Sequence, residues 1–187
     1  MTENPPEIKI VIHQGLPLVD KSISTPREIE LLHYLKNVCG VKSMYYPGSG
    51  GDSLPKKVFG DKCVNGTLSP NDSPMILNNS QDIFADYRNN PFPNKSFDAV
   101  YLHCLAGQTD ILEKGALPEI SRIVKENGLI VWVDDSMPSL QSKYLQKIRE
   151  LGLKDITPAK FSELVGKMKF ANSKEESGHA IFIFQKQ

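Results

Sequence analysis

This sequence of 187 residues offers little thiol chemistry: Cys39, Cys63 and Cys104 are its only cysteines. An odd number without a Cys-x-x-Cys pair argues against a disulfide framework. No histidine stands at zinc-finger spacing from a cysteine, so structural zinc is not expected either. Net charge is missing as well. The 22 Lys and Arg balance the 22 Asp and Glu, so the chain as a whole has no bulk attraction for nucleic acid or an acidic membrane. No long run of Lys or Arg provides a local one. No segment approaches the roughly 20 apolar residues that cross a bilayer. Residues 1–6 are polar and proline-rich, without the basic start and apolar run of a signal peptide. These absences predict a soluble cytoplasmic protein with reduced thiols.

What is present is a core. Hydrophobic residues make up 40% of the chain, too many for a disordered segment. No internal repeat and no divisive linker is visible, so residues 1–187 are expected to form one domain. Residues 1–40 would contribute a strand and a helix, 41–135 a ligand-binding core, and 136–187 the C-terminal half of a sheet.

Strand-like and helix-like stretches alternate. Residues 8–12 (IKIVI), 41–46 (VKSMYY), 82–86, 97–105 (FDAVYLHCL), 129–133 (LIVWV), 153–157 and 179–184 (HAIFIF) read as strands, and 64–68 as a weak one. Ser24 or Thr25 is placed to cap a helix with Glu28 completing a capping box; Ile29, Leu32 and Leu35 follow at helical spacing, and Gly40 stops it. Helices are also expected at 54–59, at 74–77, from a cap at Thr109 through Ile111, Leu112, Ala116, Ile120, Ile123 and Val124 to Gly128, at 139–151 ended by Gly152, and at 161–168. Such alternation predicts an α/β, Rossmann-like three-layer sandwich: a mostly parallel sheet, helices on both faces and an antiparallel C-terminal strand.

In such a sheet, ligands sit beyond the carboxyl ends of the strands. Four places qualify: Gly48 to Asp52, Asp86 to Arg88, His103 to Gln108, and Asp134 to Ser136. The first follows a strand and contains Gly48, Gly50 and Gly51. Glycines permit positive φ and close approach of a ligand to the backbone, and the following N–H groups suit an anion. The same turn equally serves a tight strand-to-helix connection. Asp86 suits an exocyclic amine or a ribose, or simply caps a turn. Asp134 and Asp135 read first as helix caps and second as a metal or acid–base pair. His103 reads first as a core histidine. Of Tyr45 and Tyr46, one is expected in the core and the other at the edge of a pocket. Trp132 belongs to the core.

Three segments together resemble the class I S-adenosylmethionine-dependent methyltransferases. Residues 46–52 (YPGSGGD) are similar to their first motif. Residues 85–98 (ADYRNNPFPNKSFD) are similar to the family's stretch ADAxxLPFPDxSFD. Residues 117–130 (LPEISRIVKENGLI) are similar to its ExxRVLKPGGxL helix and turn. The resemblance covers about residues 41–135, in order. It implies S-adenosylmethionine as cofactor, with Tyr46, Gly48, Ser49, Gly50 and Asp52 lining its methionine part. It also implies Asp86 with Tyr87 at the adenine, and His103 and Leu105 at the end of the strand beneath the ligand. No catalytic residue and no metal ligand is assigned, because methyl transfer of this kind rests mainly on positioning. The chain departs from the pattern in three places. Tyr46 stands where the family has an acid, Asp52 replaces the third glycine, and no acid stands at the end of the second strand.

The resemblance implies a methyltransferase with a small-molecule acceptor, no membrane or nucleic-acid partner, and a protein partner or homodimer left open. The alternative is a methyltransferase-like module without catalysis, a binding or partner subunit. A nucleotide-linked oxidoreductase fits less well, since position 53 is Ser where its fingerprint wants Gly. A hydrolase built on Asp134 and Asp135 has less support still.

Overall fold

The computed structural model describes residues 26–49, 54–67, 83–103, 115–134, 142–162, 165–169 and 176–187. In chain order these form α1 (Pro26–Asn37), β1 (Met44–Pro47), α2 (Leu54–Phe59) with a 3-10 turn at Gly60–Lys62, β2 (Cys63–Thr67), β3 (Ile83–Phe84), β4 (Phe97–His103), α3 (Ala116–Ile123), β5 (Val124–Asp134), α4 (Ser142–Glu150), β6 (Leu153–Asp155), α5 (Ala159–Ser162), β7 (Val165–Lys169) and β8 (Glu176–Lys186). The strands order as β3-β2-β1-β4-β5-β8-β6, with β7 joined to β8. The pairs from β3 to β5 are parallel. β8 runs antiparallel to β5, β6 and β7. This is the mostly parallel sheet expected from the alternation.

Side chains alternate across the strands, so each face buries its own set. Tyr45, Val100, Leu102, Ile130 and Trp132 pack with Leu117, Ile120 and Ile123 of α3 and Ile148 of α4. Met44, Tyr46, Tyr101, Val131 and Val133 pack on the other face with Leu31, Leu32 and Leu35 of α1, Phe59 of α2 and Phe161 of α5. Helix α1 ends as its sequence suggests. Gly40 takes φ 71°, and the Val41 N–H donates back to the Leu35 carbonyl at 3.0 Å.

Two expectations are corrected. The helix placed up to Gly128 stops at Ile123, because Val124 pairs with Phe97 at the start of β4. The Ser96 and Lys95 N–H groups take up the carbonyls of Ile123 and Arg122 at 2.8 and 3.0 Å, which closes the helix. The register then slips between Phe97 and Ala99, whose partners are Val124 and Leu129. Asn127 turns through φ 60° in this bulge. A Cβ at Gly128 would stand 2.8 Å from the Lys125 carbonyl oxygen and 2.9 Å from that of Asp98, so the bulge requires glycine there.

Residues 161–168, expected as a helix, divide between the end of α5 and β7. β8 begins at Glu176, earlier than the expected 179, and its first residues reach beyond Asp134↔Ala180, the last pair with β5. Their backbone groups need partners, and residues 165–169 provide them through Val165↔His179 and Lys169↔Glu176. The strand expected at 8–12, the helix at 74–77, the caps at Ser24, Thr25 and Thr109, the positions Ile111 and Leu112, and Cys104 lie outside the described residues.

Candidate functional site

β2 and β3 lie on one side of β1, and β4 and β5 on the other. The chain therefore reverses its direction of growth between β1 and β4, and this switch point is where a doubly wound sheet opens its crevice. Tyr46, next to last in β1, and His103, last in β4, bridge that gap: the Tyr46 hydroxyl lies 3.1 Å from His103 Nδ1. On the other edge of the imidazole, Nε2 lies 2.7 Å from Glu28 Oε1. That contact is electrostatic, lying outside straight hydrogen-bond geometry. Tyr101 stacks alongside the histidine, centroids 5.9 Å apart. Glu28 is 2% exposed and the His103 side chain 13%.

The expectation that one of Tyr45 and Tyr46 edges a pocket is corrected: both are buried, Tyr45 completely and Tyr46 to 1% exposure. The large rings pack into opposite faces of a strand covered on both sides. Gly48 turns through φ 64°. The next residue, Ser49, donates its N–H to the Gly66 carbonyl at 3.2 Å. Ser49 is 3% exposed, and its hydroxyl has no hydrogen-bond partner among the described residues. Gly50, Asp52 and Leu105, the other expected contacts here, lie outside the described residues.

Glu28 was expected only as part of a capping box; its burial against His103 is what the sequence reading missed. The signal was available. Glu28 shares a helix face with Leu31, Leu32 and Leu35, three and four residues apart along the stripe. All three leucines are fully buried, so the carboxylate sits on a core face.

A second acidic pole lies beyond β3. Asp86 is gripped by Arg88, whose Nε donates at 2.8 and 3.0 Å and whose Nη2 donates at 2.6 Å; the Arg88 backbone N–H adds a bond at 2.9 Å. The Arg88 side-chain hydrogen bonds hold the Asp86 carboxyl below the usual range, against a smaller opposing effect of burial. Tyr87 points into the core instead, packed in the cluster with Tyr45 and Phe97. Tyr45 reaches under β2, where a Cβ on Gly66 would meet its hydroxyl at 2.5 Å. Burial first, and Asp86 second, push the Tyr45 hydroxyl up. That hydroxyl also has no hydrogen-bond partner among the described residues.

The loop between Asp86 and β4 is anchored from α3. Arg122 donates to both Glu119 oxygens at 2.7 and 2.6 Å, and to the Phe92 and Asn90 carbonyls at 2.9 and 3.1 Å. Glu119 in turn accepts from the Asn90 N–H at 2.8 Å. Asp134 ends β5 opposite Ala180, and its neighbour Asp135 lies outside the described residues.

A bound adenosyl donor fits these features in one respect. The buried Ser49 hydroxyl, without a hydrogen-bond partner among the described residues, stands in the turn that would meet it.

The backbone resembles a geranyl diphosphate methyltransferase solved in complex with S-adenosylmethionine, TM-score 0.61 at 13% identity, over 86% of this chain and 85% of the other. It also resembles a methyltransferase from Archaeoglobus fulgidus, TM-score 0.56 at 13% identity, over 84% and 94%. The fold is that of the class I methyltransferases. The [4+2]-cyclase SpnF is similar too, TM-score 0.59 at 15% identity over 97% and 88%, so proteins of this methyltransferase-like fold are not all named for one chemistry. Demethylmenaquinone methyltransferases from two strains of Staphylococcus epidermidis are 37% identical over 101 residues, 54% of this chain. The chain spans 38% of the length of these relatives. No protein-family model matches the chain.

Proposed function

We propose that the protein is an S-adenosylmethionine-dependent methyltransferase acting on a small molecule. The observation that carries this reading is the 37% identity over 101 residues to demethylmenaquinone methyltransferases, in a chain whose β1 turn and β4 end meet at the sheet's switch point. When bound, the donor supplies an electrophilic methyl group. The chain's own part is to bind and orient, through the turn at Gly48 and Ser49, the end of β4 at His103, and the Asp86 region. Gly50, Asp52 and Leu105 belong to the same proposed lining, within a single domain, whereas the expected contact from Tyr87 is dropped because its ring is buried in the core. Demethylmenaquinone, for which those relatives are named, is the first acceptor to assay. Isothermal titration with S-adenosylmethionine and S-adenosylhomocysteine tests the reading; saturable heat at micromolar ligand is expected. A folded sample giving no heat with either would sink it.

A second reading is a methyltransferase-like module without catalysis. It is favoured by the Asp86 carboxylate, both oxygens of which are taken by Arg88, and by β2, which ends in Asn65, Gly66 and Thr67 without an acid. A stable partner on native purification, combined with silent titrations, would select it.

A further inference from the structure

A cleft of about 330 Å³ opens at the pole of the sheet away from Gly48 and His103. The bulge in β5 forms one of its walls. Val124 pairs with Phe97 and Leu129 with Ala99, so four residues, Lys125 to Gly128, stand opposite the single residue Asp98. The cleft lies between this extra chain, the turn after α1 at Cys39 and Val41, and Ile156 and Gln185 at β8. Its volume falls in the range of small-ligand sites, roughly 300–1,000 Å³. Val41, Leu129 and Ile156 supply an apolar wall, and the two carboxylates in the lining are already compensated. Asp98 accepts from the N–H groups of Lys42 and Ser43, the Ser43 hydroxyl and the Lys125 ammonium. Glu126 is held by Lys95 at 2.9 Å, with Lys186 at 3.6 Å. Lys125 is not matched in the same way. Of its three ammonium donors, one goes to Asp98 at 2.7 Å, and no other partner lies among the described residues.

Lys42, Lys95, Lys125 and Lys186 thus gather around Asp98 and Glu126, so the local balance is positive in a chain with no net charge. Burial holds the Cys39 thiol above its ordinary value, so it stands uncharged in the lining and does not repel an anion. No arginine stands in the lining, and the guanidinium fork that suits a phosphate is therefore missing. We propose that this cleft is a second ligand site, for a small organic carboxylate whose charged group meets Lys125 and whose apolar part lies on Val41, Leu129 and Ile156. The site is independent of the methyltransferase reading, and titrations silent towards the sulfonium donor leave it standing.

The test compares two probes that share an apolar tail and differ in charge, hexanoate and hexanamide. Each is titrated into the full chain, and backbone amide shifts are followed by nuclear magnetic resonance. Hexanoate should shift Val41, Lys125, Leu129 and Gln185 saturably and leave Ser49 and His103 unmoved. An exposed ion pair should make hexanoate about fivefold tighter than hexanamide. Lys125→Met, which keeps an apolar stem and removes the ammonium, should erase that preference while holding hexanamide within about twofold. The comparison of the two probes on the wild type stands by itself should the variant not fold. Equal affinity of the probes for the wild type, no saturable shift with hexanoate, or shifts centred on Ser49 and His103 would each overturn the assignment.

Discussion

Ser43 and Asp98 exchange hydrogen bonds across the start of β1 and β4. The Asp98 N–H donates to the Ser43 hydroxyl oxygen at 3.0 Å, and Ser43 returns its N–H and Oγ–H to Asp98 Oδ2 at 2.8 and 3.1 Å. Lys42 N–H and the Lys125 ammonium complete the set at 2.9 and 2.7 Å. This knot fixes the two strands that border the switch point at the end away from Gly48 and His103. Asp98→Ala is expected to cost about 2–3 kcal/mol, since hydrogen bonds to a charged group are at stake, read as a lower urea midpoint.

The same carboxylate gives an acid signature. Burial acts to raise the Asp98 carboxyl, but Lys125 and the backbone and hydroxyl donors of Lys42 and Ser43 outweigh it, so it lies below the usual range. Its contribution is present in full above the unfolded value near ~3.9, and is lost as pH falls through the lower folded value. The difference in unfolding free energy between wild type and Asp98→Asn should therefore shrink between pH 6 and pH 2.5. An unchanged gap would show that the charge has no part in it.

Tyr45 and Gly66 are a steric couple. Gly66→Ala would place its Cβ 2.5 Å from the Tyr45 hydroxyl and 2.9 Å from the ring, and overpacking of this kind costs about 1–3 kcal/mol. Tyr45→Phe alone should be neutral or stabilising, because it removes a buried hydroxyl with no partner among the described residues. In the double variant the loss from Gly66→Ala should be partly relieved. Additive denaturation energies would contradict the coupling.

Arg122 ties α3 to the loop that carries Asp86. Arg122→Lys keeps the charge but cannot span Glu119, Phe92 and Asn90 together, as the guanidinium fork does. A loss of about 2 kcal/mol is expected, with faster amide exchange at Asn90, whose N–H is held by Glu119.

Arg88→Gln should act on Asp86 and hardly on stability. The pair is substantially exposed, at 41% and 35%, and exposed pairs contribute about 0–1 kcal/mol. The Asp86 carboxyl is expected to move up towards the usual range when its guanidinium partner is removed, as followed by carboxyl carbon shifts in an acid titration. An unmoved titration would refute the assignment of cause.

The sequence by itself determined those features whose physics is local. The leucine spacing of α1 and the positive-φ glycines at 40 and 152 placed helix ends, and the apolar run at 129–133 placed the central strand β5. The ordered segments around Gly48, Asp86 and Gly128 pointed to the right fold because turns and strand ends carry their own residue requirements. Tertiary structure alone decided the rest. Residues 165–169 became a strand because β8 outruns β5 and its backbone needs partners. Asp86 was legible as an acid after a strand, but its capture by Arg88 depends on how the turn folds back. Glu28 and His103 lie far apart in the chain, and no local pattern brings them together. The packing of α1 on β1 and β4 does that, setting a buried carboxylate against an imidazole at the point where the sheet reverses its order.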